Sequence, residues 1–316
     1  MKTFNLCLLG YGNVGQALVR LLMVKEDELR EQFGIEFRVT GVATRRMGWK
    51  VAPGGYSYEE SSPGFLFASN LPQYAEPAPA NIGEWLAAAR CDVLFEVTSL
   101  EPLTGEPAVS HARAALEHGA HVVTANKGAI VHAYRELSVL ARARGRSFMY
   151  EATVVDCPVF SLFRGSLPAT RLLSFEGVVN STTNVILDEI AAGHTFDEGV
   201  RRAQALGIAE TDPTHDVDGW DSAVKACALA NVLMGAELKL EEIGREGIRG
   251  LRDEDVRAAH AAGRPFRLVA RGRRDERGGV EASVRPEQVS PRGPFAASQN
   301  SRPRQLLGVS QENLTN

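Results

Sequence analysis

The residues best suited to chemistry lie in one acidic run, Glu210-Thr211-Asp212-Pro213-Thr214-His215-Asp216-Val217-Asp218-Gly219-Trp220-Asp221, which leads through Ser222, Ala223 and Val224 to Lys225. The run is a loop opening a helix predicted over Trp220–Met234. Asp221 and Lys225 stand four apart there and share a helix face. On a surface helix such a pair contributes only about 0.3–0.5 kcal/mol. Between Ser222 and Ala236, however, Lys225 is the only charged residue. An ammonium in such surroundings is either buried with a partner or turned into a polar pocket. A lysine so placed can pass a proton to an oxygen that gains charge, as in the reduction of a carbonyl by a hydride donor, and carboxylates beside it can hold a cationic substrate group. Lys225 can give the proton, while Glu210 and Asp221 can bind an ammonium or a product hydroxyl.

The hydride donor has its own signature. Gly10-Tyr11-Gly12-Asn13-Val14-Gly15 follows the apolar run Phe4–Leu9 and opens a predicted helix, Val14–Gln32, with Val14, Leu18, Leu21 and Leu22 on one face. In a dinucleotide fold the first glycine allows the tight turn, the second admits the pyrophosphate to the backbone, and the third lets helix and strand approach. A lone GxGxxG is weak, but here strand, turn, helix and next strand all fall where the fold needs them. The second strand, Phe37–Ala43, ends in Thr44-Arg45-Arg46 where an NAD-specific site would have an acid. Either these arginines grip the 2′-phosphate of NADP(H), or they are two solvated residues at a loop start. Two further strands end in polar groups on the carboxyl side: Val93–Val97 runs into Thr98-Ser99, and His121–Thr124 into Ala125-Asn126-Lys127-Gly128.

The elements that must position these groups alternate through the first half, with helices at Gly83–Ala89, Pro107–His118 and Ala133–Arg144 between the strands. That order predicts an α/β, Rossmann-type doubly wound parallel sheet. Gly48–Pro79 interrupts it with Pro, Gly, Ser and Tyr and reads as a long surface excursion. From Phe148 the order becomes mixed: strand-like Ser147–Ala152 and Leu172–Val179, an amphipathic stretch Val159–Leu167, helices beginning near Thr183, Thr195 and Trp220, and two closing strands in PFRLVARG and GGVEASVRP. The division expected is a cofactor-binding domain over 1–147, an α+β substrate and dimerisation domain over 148–289, and a polar tail over 290–316. A chain of 316 residues with 44% hydrophobic content can bury two such cores. The net charge of −4, from 35 basic and 39 acidic residues well mixed, supplies no field for nucleic acid or anionic lipid. Four scattered cysteines without a CxxC pair suit a reducing cytoplasm, and no run of about 18 apolar residues suggests a membrane span.

With these pieces assembled, the chain resembles the homoserine dehydrogenases. The motifs are GYGNVG, FEVTS, TANKG, YEATV, GVVNSTTNVIL, ALGIAETDPTHDVDGWDSAVKACALAN and EASVRPE. The resemblance implies NADP(H)-dependent interconversion of L-aspartate 4-semialdehyde and L-homoserine, on the way to threonine, methionine and isoleucine, by a cytoplasmic homodimer. It implies that Gly10, Gly12, Asn13, Val14, Gly15, Arg45, Arg46, Thr98 and Ser99 hold the cofactor. Lys225 corresponds to the general acid/base lysine and Lys127 to a second active-site lysine that also meets the cofactor. Glu210 corresponds to the homoserine-binding glutamate, and Asp216 and Asp221 to further substrate-side carboxylates. Asn180-Ser181-Thr182-Thr183-Asn184 matches a turn lying against substrate and nicotinamide, with serine where the family has glycine. YEATV implies a monovalent-cation site, for sodium or potassium, built from Glu151 and the carbonyl of Val154, with the carbonyls of Asp156 and Pro158 as further members. Two departures stand out. The chain is one residue shorter between Val154 and Pro158, and the family's closing glycine-rich GxGAG segment is absent. With Phe295, Leu306, Leu307 and Val309 among its few large apolar residues from Gly293 onward, the tail is expected to be disordered. Two other readings therefore stay open: a catalytically weak or inactive NADP-binding homologue, and a dehydrogenase for another small amino acid.

Overall fold

A computed structural model describes residues 1–56, 79–154, 158–293, 295 and 306–312. The chain divides into two compact units, Met1–Thr153 and Val154–Asn316.

The first unit is built on a sheet of order β3-β2-β1-β4-β5-β6. Its strands are β1 (Lys2–Leu9), β2 (Ile35–Thr44), β3 (Gly48–Val51), β4 (Val93–Glu96), β5 (His121–Thr124) and β6 (Phe148–Met149). All neighbours are parallel except β3, which turns back antiparallel on β2. The central strand β1 becomes fully buried from Leu6 to Leu9, as a strand covered on both faces should. Helices α1 (Asn13–Val24), α2 (Glu26–Phe33), α3 (Ile82–Ala88), α4 (Ala108–His118) and α5 (Lys127–Ala143) complete the unit. One core joins Trp85, Leu86, Leu94, Leu116, Val122 and Leu137. Gly41 of β2 lets Trp85 lie flat there, since a Cβ would come within 2.9 Å of its ring.

The structure changes several expectations in this unit. The long helix expected from Val14 to Gln32 breaks at Lys25 into α1 and α2. Its buried face carries Gly15 and Val19, with Leu22 and Met23 packed partly against the core, while Val14 and Leu21 are exposed. Gly15 must approach the sheet, and that rotates the apolar stripe away from the face read from the sequence. The surface excursion expected from Gly48 begins later, because Gly48–Val51 forms β3, and residues 57–78 lie outside the described residues. Helix α5 starts at Lys127 and kinks at Ala133, the position where the sequence suggested its start. The first unit also runs on to Thr153 rather than 147, since Phe148 and Met149 pair with β5.

The second unit holds a sheet of order β11-β7-β9-β10-β8. Its strands are β7 (Arg171–Val178), β8 (Gly244–Arg245), β9 (Phe266–Arg274), β10 (Val280–Gln288) and β11 (Leu306–Glu312). Its helices are α6 (Val159–Ser166), α7 (Ser181–Ala191), α8 (Phe196–Ala205), α9 (Thr214–Val217), α10 (Trp220–Leu233) and α11 (Asp253–Ala261). Helix α8 begins with a reciprocal cap between Thr195 and Glu198. The two closing strands expected from the sequence are β9 and β10, and they pair antiparallel as a hairpin.

The disordered tail expected over 290–316 is corrected by two observations. Leu306–Glu312 pairs antiparallel with β7 as a fifth strand, and Phe295 is buried with Val178, Val269 and Val289. The few apolar residues of the tail make no amphipathic helical stripe. An edge strand needs no such stripe, because its neighbour supplies the backbone hydrogen bonds. Among the described residues, no helix is long and apolar enough to cross a membrane.

Candidate active site

In the first unit, β1 delivers Gly10 at φ +93°, a backbone conformation glycine adopts without penalty. A Cβ at Gly10 would lie 2.5 Å from the carbonyl oxygen of Val97, and one at Gly15 would lie 2.8 Å from the carbonyl oxygen of Gly10. Gly12, in contrast, faces open space. The first and third glycines are thus required by close packing, while the second leaves room above the N-terminus of α1. No side chain caps that helix, so its first-turn N–H groups are available to an anion. Tyr11 turns inward and is buried, and desolvation pushes its phenol up to about 12. The loop stands between β1 and β4, where the sheet order reverses, the place where open α/β sheets bind ligands.

Arg45 and Arg46 sit exposed on the turn joining β2 to β3, a turn braced by the Met47 N–H donating to Thr44 Oγ1 at 3.1 Å. Beyond β4, Thr98 and Ser99 are tied to the end of β5 through Asn126. Its Nδ2 donates to the carbonyls of Thr98 at 3.3 Å and Ser99 at 3.2 Å, and its Oδ1 caps α5 by accepting from the Gly128 N–H at 2.9 Å. Lys127 is the first residue of that helix and is half-buried.

Glu96, the last residue of β4, was not singled out from the sequence. It is fully buried and accepts hydrogen bonds from the Thr98 N–H at 3.2 Å, the Thr98 hydroxyl and the Thr124 hydroxyl at 3.1 Å. Burial raises its carboxyl above the usual range.

In the second unit, α10 is apolar all round and buried from Ser222 to Asn231. Lys225 is only 6% exposed. Its Nζ donates to the carbonyl of Val179 at 2.6 Å and pairs with Asp221 Oδ2 at 2.9 Å. Of the two readings of this lysine, burial with a partner is the one observed. Next to Val179 stands Asn180, whose Nδ2 reaches both Asp216 Oδ1, at 2.6 Å, and Asp221 Oδ2, at 3.1 Å. The Asn180 Oδ1 meanwhile caps α7 by accepting from the Thr183 N–H at 2.9 Å. One short turn therefore gathers Asp216, Asp221 and Lys225. Burial is the main reason the Asp216 carboxyl is raised, and the charge of Asp221 adds to it.

Glu210 is exposed on the turn after α8, and among the described residues nothing hydrogen-bonds to its carboxylate. Its carbonyl accepts from Gln204 Nε2 at 3.2 Å. Asn180 was recognised in sequence only as part of a turn. Its bridging of two aspartates has no signal in spacing, since those partners lie 36 and 41 residues away.

Glu151 opens a short 3-10 turn, Glu151–Thr153, Val154 is buried, and Pro158 precedes α6. Asp156 lies outside the described residues. No group of three or more His, Cys, Asp or Glu side chains able to hold a metal occurs among the described residues.

Two family models match nearly the whole chain: "Homoserine dehydrogenase, NAD binding domain" over residues 10–151 and "Homoserine dehydrogenase" over 158–306. An NAD(+)-dependent homoserine dehydrogenase of Pseudomonas canavaninivorans is 34% identical over 301 residues, covering 94% of this chain and 85% of that protein. The chain belongs to the homoserine dehydrogenase family. The homoserine dehydrogenase of Methanocaldococcus jannaschii is 31% identical, over 84% of this chain and 79% of its own. Among solved structures of the family, the homoserine dehydrogenase of Thiobacillus denitrificans superposes with a TM-score of 0.79 at 29% identity, over 99% of this chain and 67% of its own. A hyperthermophilic archaeal homoserine dehydrogenase in complex with NADPH gives 0.78 at 28% identity, over 99% and 89%. As a member of this family the chain is an oxidoreductase that acts on a CH–OH group with a nicotinamide cofactor.

Proposed function

We propose that this chain interconverts L-aspartate 4-semialdehyde and L-homoserine, with Lys225 as its proton donor and acceptor. The observation that carries the reading is the buried Lys225 ammonium, held by Asp221 and the Val179 carbonyl and joined through Asn180 to Asp216. A nicotinamide, when bound, supplies or accepts the hydride at the carbonyl carbon. The glycine turn Gly10–Gly15, with Asn13 and Val14 opening α1, fits its pyrophosphate: Gly12 is open and the helix end uncapped. Thr98, Ser99 and Lys127, at the ends of β4 and β5, suit its nicotinamide side.

In the reducing direction Lys225 gives a proton to the oxygen that becomes the alcohol, and Asp221 and the Val179 carbonyl hold the ammonium in place for that transfer. In the oxidising direction the same nitrogen takes the hydroxyl proton. Asp216 and Asp221 offer anionic oxygens to the substrate's ammonium, and Glu210 is a third carboxylate for the same task. For the cation suggested by YEATV, Glu151 would supply a carboxylate and Val154 a backbone carbonyl. The direct test is loss of reduced-cofactor absorbance when purified protein meets aspartate semialdehyde. No loss with either NADPH or NADH would refute the reading and favour an inactive homologue.

For the cofactor we favour NADP(H), because Arg45 and Arg46 stand where an NAD-selective acid would. The NAD(+)-dependent name of the Pseudomonas canavaninivorans relative favours NAD(H). Replacing both arginines with alanine separates the two. Losing a charged hydrogen bond costs about 1.5–3 kcal/mol, so NADPH affinity should fall at least tenfold with NADH affinity unchanged. Equal weakening would leave the arginines as solvated residues.

A further inference from the structure

We infer that Glu96 is a positioning residue for the nicotinamide end of the cofactor site: its carboxylate locks the ends of β4 and β5 into one unit and so sets Thr98, Ser99 and Lys127. The inference rests on the cofactor reading above. In the first unit the pyrophosphate turn follows β1, and the adenosine side lies toward the end of β2, where Arg45 and Arg46 stand. The strand order then leaves the ends of β4 and β5, on the other side of β1, for the nicotinamide.

Glu96 is 0% exposed, so it touches neither cofactor nor substrate and acts only through its neighbours. One oxygen accepts from the Thr98 N–H at 3.2 Å and from the Thr98 hydroxyl. The other meets the Thr124 hydroxyl at 3.1 Å. Thr124 Oγ1 in turn accepts from the Asn126 N–H at 2.9 Å. The Asn126 Nδ2 returns to Thr98 Oγ1 at 3.3 Å and to the Thr98 and Ser99 carbonyls, closing the ring. Every polar segment that follows β4 and β5 is therefore referred to one carboxylate. Among the described residues no cation pairs with it. Burying an acid in this way is costly, and an apolar side chain on β4 would pack against α4 and α5 without that cost. The residue is explained by what it holds.

The test compares binding of a whole dinucleotide with binding of the same molecule lacking its nicotinamide ring. For NADPH the fragment is 2′-phospho-ADP-ribose, and for NADH it is ADP-ribose. Titrations follow intrinsic fluorescence. Glu96→Ala leaves the Thr98 N–H and hydroxyl without their acceptor, and it should weaken the dinucleotide at least tenfold while the fragment changes less than about twofold. Glu96→Gln should restore the ratio, because its Oε1 accepts from Thr98 and its Nε2 donates to Thr124, whose hydroxyl turns to the Glu96 carbonyl 3.1 Å away. If Glu96→Ala does not fold, Thr124→Val, which removes only the relay, should show the same selective loss on a smaller scale. Equal weakening of dinucleotide and fragment, or no change in either, would overturn the inference. If the parent protein binds neither dinucleotide, the cofactor reading falls and this one with it.

Discussion

Lys225, buried on α10, is held by Asp221 one turn away and by the distant Val179 carbonyl, and its substitution tests the proposed chemistry most directly. Lys225→Ala should lower kcat by about 10²–10⁴, the range for a lost general acid–base group. Cofactor affinity should stay within about threefold, because the glycine turn that fits it lies in the other unit. A cofactor loss as large as the rate loss would contradict the assignment. Asp216 gives a second test, based on pH. Its folded carboxyl is raised, chiefly by burial and further by Asp221. A raised acid favours folding most when protonated, below the ordinary carboxylate value of about 4, and that contribution is lost as pH rises through the folded value. Asp216→Asn removes the penalty while its Oδ1 can still accept from Asn180. The variant's stability relative to the parent should therefore climb as pH rises from about 4 toward neutrality, read as urea midpoints. Parallel curves for the two proteins would show that Asp216 ionises without strain.

At the scale of elements, the glycine turn is the most demanding piece. Gly10→Ala would place a methyl 2.5 Å from the Val97 carbonyl oxygen at a positive φ. We expect a loss of about 2–4 kcal/mol in the first unit, through strain and overpacking together, with cofactor binding abolished. Gly12→Ala, facing open space, should fold normally and weaken only the cofactor. Equal stability for the Gly10 and Gly12 variants would mean the turn is looser than described. Much of this layer was legible in the sequence. The glycine spacing, the apolar β1 and the lone lysine of α10 each follow from residue type and period alone. What escaped was set by contacts distant in sequence. The burial of Gly15 turned α1 away from its apparent apolar face. Pairing with β5 drew Phe148 and Met149 into the first sheet, and pairing with β7 gave the tail a strand that no local stripe announced. Glu96 and Asn180 escaped for the same reason: a polar residue's importance here lies in what it ties together, and its partners become neighbours only in the fold.

At the scale of the whole molecule, two units with separate cores should unfold as two calorimetric transitions or as one broadened one. Excess NADPH, at about 100 times its dissociation constant, should stabilise the unit it binds by about 2.7 kcal/mol. The transition of Met1–Thr153 should move upward, and that of the second unit should move less. Identical shifts of both would show that the units unfold together. The second sheet also bears on how the protein is made. Strand β7 lies between β9 and β11, and β11 is the last of its unit's described strands to leave the ribosome. Until Glu312 has emerged, β7 keeps one row of unpaired N–H and C=O groups, the kind of edge onto which a stray strand from another nascent chain can add. The seven residues of β11 take the edge position from β7, and a chain cut short before Leu306 would leave β7 as the open edge, prone to clump during synthesis even with every residue of the proposed active site in place.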